Sequence, residues 1–281
     1  MAIKILVDSA SDINKEEAKQ LGIEMIPMVI SFGEEEFEDG INLLPHQFYE
    51  KLIESDILPT TSQATPDAFA KEFEKAKAAG ESAVVITLAS KFSGTYQSAK
   101  IAAADYKNIY IVDSTSAAMG SGILIELAFK LLDKGKSAEE IAKILEEEKK
   151  KIVVVALVDT LEYLKKGGRI SRTVAFAGGV LNIKPVLSVI GGEINMLGKA
   201  RGSKMGNNLL VEEIKKAGGI DFGKPVLLGY SGISDSLLLK YIEDSRHIWE
   251  GNIDEVRYTS IGSVIGTHAG PGAVAVAFFK G

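Results

Sequence analysis

Apolar positions along the chain fall into short unbroken runs, set between stretches with helical spacing. Ile3–Val7 is the first run, and Asp8-Ser9-Ala10-Ser11-Asp12 breaks it. Met25–Phe32, Ser82–Leu88 and Ile109–Asp113 read as further strands. The segments between them carry helix punctuation. Asn14 and Glu17 have capping-box spacing and Gly22 closes that helix. Pro45 opens a helix to Ile53, Pro66 opens one to Ala79 closed by Gly80, and another spans Tyr96–Tyr106. Ser137 and Glu140 repeat the box before a helix ending near Lys151. Short, wholly apolar strands alternating with helices predict an α/β fold, a parallel sheet with helices on both faces.

The pattern changes after the Lys-rich stretch Lys149–Lys151. Val153–Val158 is a strand, and Val186–Ile190 and Glu193–Leu197 flank Gly191-Gly192 as a hairpin. Val226–Tyr230, Glu255–Thr259 and Ala273–Phe279 add further strands. These predict a second, α+β domain with a mixed, partly antiparallel sheet. The expected division is 1–151 and 152–281.

Composition narrows the function classes. The 281 residues include no cysteine, which removes disulfides, thiolate metal sites and thiol nucleophiles. The longest apolar runs, Ile152–Val158 and Ala273–Phe279, fall far short of the ~20 residues a membrane span needs. The first run stops at Asp8, so no secretory signal is expected and the cytoplasm is the expected compartment. A net charge of −6 argues against nucleic acid as a partner. That charge is uneven: residues 1–160 carry net −10 and residues 161–281 net +4.

In an open parallel sheet, ligands sit beyond the carboxyl ends of the strands. Those ends are rich in hydroxyls: Ser9 and Ser11, Thr60-Thr61-Ser62, Ser93-Gly94-Thr95, and Ser114-Thr115-Ser116. Such residues also cap helices and form turns. Ser93-Gly94-Thr95 opens a predicted helix, where free amides and the dipole favour an anion. Gly94 would let a ligand approach the backbone. An uncharged, hydroxyl-lined pocket suits holding a carboxylate or phosphate better than transforming it. Lys91-Phe92-Ser93-Gly94-Thr95 lacks the first glycine of a nucleophile elbow, and no P-loop or dinucleotide fingerprint follows the first strand. His46, His247 and His268 match no metal spacing. The acidic run Glu34–Asp39 reads as a solvated hairpin, and Asp8, Asp12 and Asp113 as caps and turn formers.

The second half holds two basic clusters, Lys165–Arg172 and Lys199–Lys204, which singly read as solvated loops. Gly262–Gly272 sets His268 among glycines and a proline, in a backbone of special path. Together with Asp8–Asp12, Thr61-Ser62-Gln63, Ser93–Ala99, Asp159–Leu164 running into Gly167–Ser171, Lys184-Pro185, and Gly266-Thr267-His268 with Gly270-Pro271-Gly272, this set resembles the DegV family of bacterial fatty-acid-binding proteins. That family includes the binding subunit of fatty-acid kinase. One departure is Ala64-Thr65, where the family usually has Pro-Ser.

The resemblance implies a long-chain fatty acid bound between two domains, its carboxylate at Thr61, Ser62, Ser93, Gly94 and Thr95. It further implies a carrier with no cofactor and no catalytic residue of its own. A partner fatty-acid kinase would phosphorylate the bound carboxylate, with Arg169, Arg201 and His268 serving docking or phosphoryl transfer. No membrane span is expected, and a passing contact with a membrane surface is left open. Burial of fifteen methylenes at ~0.8 kcal/mol each would give about 12 kcal/mol before association costs. The alternatives are an enzyme acting on a small carboxylated or phosphorylated metabolite at the same loops, and a regulatory module that uses the basic half.

Overall fold

The computed structural model describes residues 2–13, 15–170 and 183–281. Asn14 of the first capping box, and Ser171 and Arg172 of the first basic cluster, lie outside the described residues.

Three sheets form among them. β1 (Ile3–Asp8) pairs in parallel with β2 (Glu24–Ile26). β3 (Val29–Phe32), β4 (Glu35–Glu38) and β5 (Thr60–Ser62) make a small antiparallel sheet in the order β4-β3-β5. β6 (Ser82–Thr87) and β7 (Ile109–Asp113) complete the parallel sheet, β2-β1-β6-β7. β8 (Ile152–Leu157), β9 (Ile183–Ile190), β10 (Glu193–Arg201), β11 (Leu227–Tyr230), β12 (Tyr258–Ser260) and β13 (Val274–Phe279) form the third sheet, in the order β10-β9-β8-β13-β11-β12. Its pairs are antiparallel except β11–β12.

Met25–Phe32, expected as one strand, is two. Pro27 lacks an amide hydrogen and cannot continue a ladder, so the chain leaves the parallel sheet there and re-pairs in the small one. The helices are α1 (Lys15–Leu21), α2 (Pro45–Glu54), α3 (Pro66–Ala78), α4 (Thr95–Ala102), α5 (Met119–Asp133), α6 (Ala138–Glu148), α7 (Glu162–Lys166), α8 (Gly202–Lys216), α9 (Ser236–Asp244), α10 (Arg246–Trp249) and α11 (Ser263–Ala269). α4 stops short of Tyr106, and α6 gives way to a 3-10 turn at Lys149–Lys151. The basic segment Lys199–Lys204, read as a loop, closes β10 and opens α8. The glycine-rich segment around His268 carries α11.

Strand alternation sorts the cores. In β1, Ile5 and Val7 pack with Ile123 of α5 and Ile141 of α6, while Leu6 faces Phe69 and Phe73 of α3. Helices thus cover both faces of the parallel sheet, as the sequence pattern predicts. In β8, Val153, Val155 and Leu157 pack on Leu210 and Ile214 of α8 and on Tyr241 of α9. The opposite face, with Val154 and Ala275, turns towards α5. α5 is therefore enclosed between the two larger sheets, which is why Ile123, Leu124 and Ile125 are all fully buried. Gly120 lets α5 approach β8: a Cβ there would lie 2.7 Å from Val154. At the β9–β10 turn, Gly191 and Gly192 both adopt positive φ (58° and 73°), the demand of a two-residue hairpin.

Candidate functional site

A narrow cavity of about 120 Å³ lies between the start of α5 and the face of the six-stranded sheet. The sheet supplies its wall by register. Val154 stands opposite Val189, Ala156 opposite Leu187, and Ala275 opposite Ala156, so one strand face presents a continuous aliphatic surface. Alanines at 156, 273 and 275 keep that wall thin. Met28, Leu88 and Met119 come from the other side, and Val264 and Ile265 from α11.

Polar groups gather where Thr61, Ser93, Arg169 and His268 also line the cavity. Thr61 is on β5 opposite Ile30, and its Oγ1 lies 3.0 Å from His268 Nε2 on α11. His268 is pushed down to about 4 by burial first and by the neighbouring Arg169 second, so it is neutral at neutral pH. Its Nδ1 is buried with no hydrogen-bond partner among the described residues. Gly167 covers that atom; a Cβ there would sit 2.1 Å from it. Arg169 is held by two backbone carbonyls, Nε donating to Phe92 O (3.1 Å) and Nη1 to Gly167 O (2.6 Å). The guanidinium thereby ties the turn after α7 to the loop carrying Ser93. A second recess of about 240 Å³ shares Thr61, Arg169 and His268 with the cavity and adds Pro59, Tyr163 and Lys166.

The sequence-derived candidates separate into groups. Thr61, Ser93, Arg169 and His268 converge on one cavity. Thr95 is fully buried just behind Ser93: its Oγ1 lies 3.0 Å from Ser93 Oγ and accepts from the Ala64 amide (3.2 Å). Ser62 is exposed and lines no part of the cavity, because alternation along β5 turns it away from Thr61. Gly94 has a local reason to lack a side chain, since Gln63 Oε1 would lie 2.0 Å from its Cβ. Gln63 in turn donates to Ser98 Oγ (2.9 Å). Sequence reasoning gave Gln63 no role of its own; only the tertiary contact reveals its brace. Arg201 is exposed at the end of β10, paired with Ile183, and is not brought to the cavity. Met119 and the alanine wall were also missed, being indistinguishable in sequence from ordinary core.

A profile of the DegV family, described as an uncharacterised protein family, matches residues 2–281. The chain belongs to the DegV family. A DegV domain-containing protein of Caldanaerobacter subterraneus is 35% identical, covering 98% of this chain and 98% of its own. Among solved structures, a DegV family protein of Thermus thermophilus, described for its fatty acid binding, superposes with a TM-score of 0.89 at 29% identity over all of both chains. DegV of Bacillus subtilis, described as a fatty acid binding protein, gives 0.85 at 31%, again over the whole of both chains. A stearic-acid-binding protein of Eubacterium ventriosum gives 0.88 at 27%, covering 100% of this chain and 98% of that one. Among the described residues, no helix is long and apolar enough to cross a membrane.

Proposed function

We propose that this protein binds a long-chain fatty acid and presents its carboxylate to a partner kinase, which forms the acyl phosphate. The supporting observation is the cavity itself: an aliphatic slot that ends at Thr61, Ser93, Arg169 and His268. The fatty acids named for structures of the same fold support the same reading. In this proposal residues 1–151 supply the carboxylate site and residues 152–281 cover the tail. Arg169, Arg201 and His268 face the kinase, and the protein works as a cytoplasmic carrier without chemistry of its own.

The polar end has a defined logic under this reading. A carboxylate leaves water only if donors meet it. Neutral His268 has one ring hydrogen, and placing it on Nε2 leaves Nδ1 a bare lone pair in its unpartnered site. The other tautomer would bury an unsatisfied N–H there, the costlier arrangement. With Nε2–H donating to Thr61 Oγ1, the Thr61 hydroxyl hydrogen is free to point at the carboxylate. His268 thus orients Thr61, and Ser93 supplies a second hydroxyl.

The slot's volume is below the ~300 Å³ at the lower end of small-molecule sites. An acyl chain is therefore accommodated by displacing flexible wall side chains, with Met28 and Met119 the most adaptable. Native mass spectrometry of the purified protein with lipid extraction tests the proposal. One fatty acid per chain, copurified or taken up from added palmitate or oleate, supports it. A clean protein mass that no added acid changes rejects it.

A further inference from the structure

His268 owes its place to α11, and α11 is gripped at its start by two buried acids that line no part of the cavity. The Gly262 amide donates to Asp12 Oδ1 (2.9 Å). Asp39 lies against the same turn, its Oδ2 3.9 Å from where a Cβ on Gly262 would sit, and the neighbouring Ser263 and Val264 amides and Ser9 hydroxyl favour its charged form. These are the first amides of the helix, which have no partners within it. Both acids are nearly inaccessible, and neither forms an ion pair among the described residues. Asp12 adopts a left-handed backbone conformation (φ 54°), and its carbonyl accepts from Thr259 Oγ1 at 3.3 Å.

The rest of the seat fixes α11 sideways. Tyr49 Oη donates to Ile261 O (3.0 Å), and a Cβ on Gly266 would lie 2.6 Å from that Oη. At the far end Ser231 Oγ donates to Gly270 O (2.6 Å). His268 stands six residues beyond Gly262, about 9 Å along the axis at ~1.5 Å per residue. A slide or tilt at the start of α11 is carried rigidly to the imidazole and breaks its 3.0 Å contact with Thr61.

We propose that Asp12 and Asp39 are positioning residues for the head-group site, fixing the start of α11 and through it the placement of His268 against Thr61. The proposal rests on the fatty-acid reading for its functional consequence, but its geometric content does not.

The hydrogen-bond pattern makes the two acids respond differently to a conservative change. Asp12 uses Oδ1 alone, Oδ2 having no partner among the described residues, so Asp12→Asn keeps the contact. Asp39 has the Ser263 and Val264 amides and the Ser9 hydroxyl beside it, so Asp39→Asn brings an NH₂ group up against groups that favour an acceptor. The test follows the histidine ring signals by NMR against pH in lipid-free protein, with His247, far from both acids in the fold, as the internal reference. Asp39→Asn, Asp39→Ala and Asp12→Ala should raise the His268 midpoint by about one pH unit or more as the ring loosens towards solvent. Asp12→Asn should leave it within a few tenths. The His247 signal should not move, and palmitate affinity should fall at least tenfold in the three shifted variants only. An unmoved His268 midpoint in folded Asp39→Asn, or a shift in Asp12→Asn equal to that in Asp12→Ala, overturns the proposal. Because the titration needs no lipid, an expected NMR pattern with no palmitate binding even in wild type would reject the fatty-acid reading and leave the positioning intact.

Discussion

Thr61→Val is the sharpest probe of the head-group site. Valine matches threonine in shape, so the substitution removes the hydroxyl and leaves β5 and its pairing with β3 in place. It deletes the proposed donor to a carboxylate, about 1.5–3 kcal/mol for a charge-assisted bond. At ~1.4 kcal/mol per decade that is roughly a ten- to hundredfold loss of palmitate affinity. It also strands His268 Nε2, whose contact with Thr61 Oγ1 is 3.0 Å. If His268 acts only by orienting Thr61, the two residues form one unit and their effects do not add. His268→Ala should weaken binding less than Thr61→Val, and the double variant should bind about as weakly as Thr61→Val alone. Affinities come from displacement of a fluorescent fatty acid, with thermal melts confirming that each variant is folded. Additive losses in the double variant would refute the relay, and unchanged affinity in Thr61→Val would place the carboxylate elsewhere.

Three further outcomes are expected. Burial raises Asp8 to about 7 and Asp39 to about 6, so each favours folding most below its ordinary value near 3.8, and that contribution is lost as pH rises through 6 to 7. His268, pushed down to about 4, works oppositely, adding stability as pH rises towards 6.5; with the acids in the majority, melting temperature should fall from pH 5 to pH 8, and Asp8→Asn should flatten the fall, whereas an equally steep profile in that variant would contradict the assignment. A Cβ on Gly229 would lie 2.4 Å from Met119 Sδ, so Gly229→Ala should press Met119 into the cavity and shift preference towards shorter acyl chains, read from a C12–C18 affinity series; an unchanged ranking would remove Met119 from the tail site. Arg201 lies away from the cavity, so Arg201→Ala should keep palmitate affinity within twofold while lowering acyl-phosphate formation by a cognate kinase, and equal phosphorylation would remove it from the docking face.

The parallel sheet was legible because its strands are buried on both faces and so read as unbroken apolar runs, Ile3–Val7 and Ser82–Thr87 above all. Pro27 was visible, but its effect of sending β3 to a different sheet depends on where Thr60–Ser62 returns to pair. α8, α9 and α11 escaped notice because glycines and polar positions interrupt their periodicity; α11 has only seven residues and owes its order to Asp12, Asp39 and Tyr49 rather than to propensity. The cluster of Thr61, Ser93, Arg169 and His268 was reached through family resemblance. Spacing alone does not reveal it, since Thr61 and His268 are separated by 207 positions. Ser62 and Thr61 are adjacent in sequence, but strand alternation sends only one of them inward. Asp39 read as part of a solvated acidic hairpin, yet it is nearly fully buried, because the start of α11 needs an acceptor there.

In the proposed complex one cavity holds the acyl chain, and Thr61 and Ser93 meet its carboxylate. A crystal structure of the protein with palmitate tests this most directly. A carboxylate oxygen is expected at roughly 2.7 Å from Thr61 Oγ1, the distance of a short O–H···O bond. The second oxygen should lie near Ser93, with the chain running along Val154, Ala156 and Leu187 towards Met119. Palmitate with its carboxylate at the Met119 end, or in a different cavity, would contradict it.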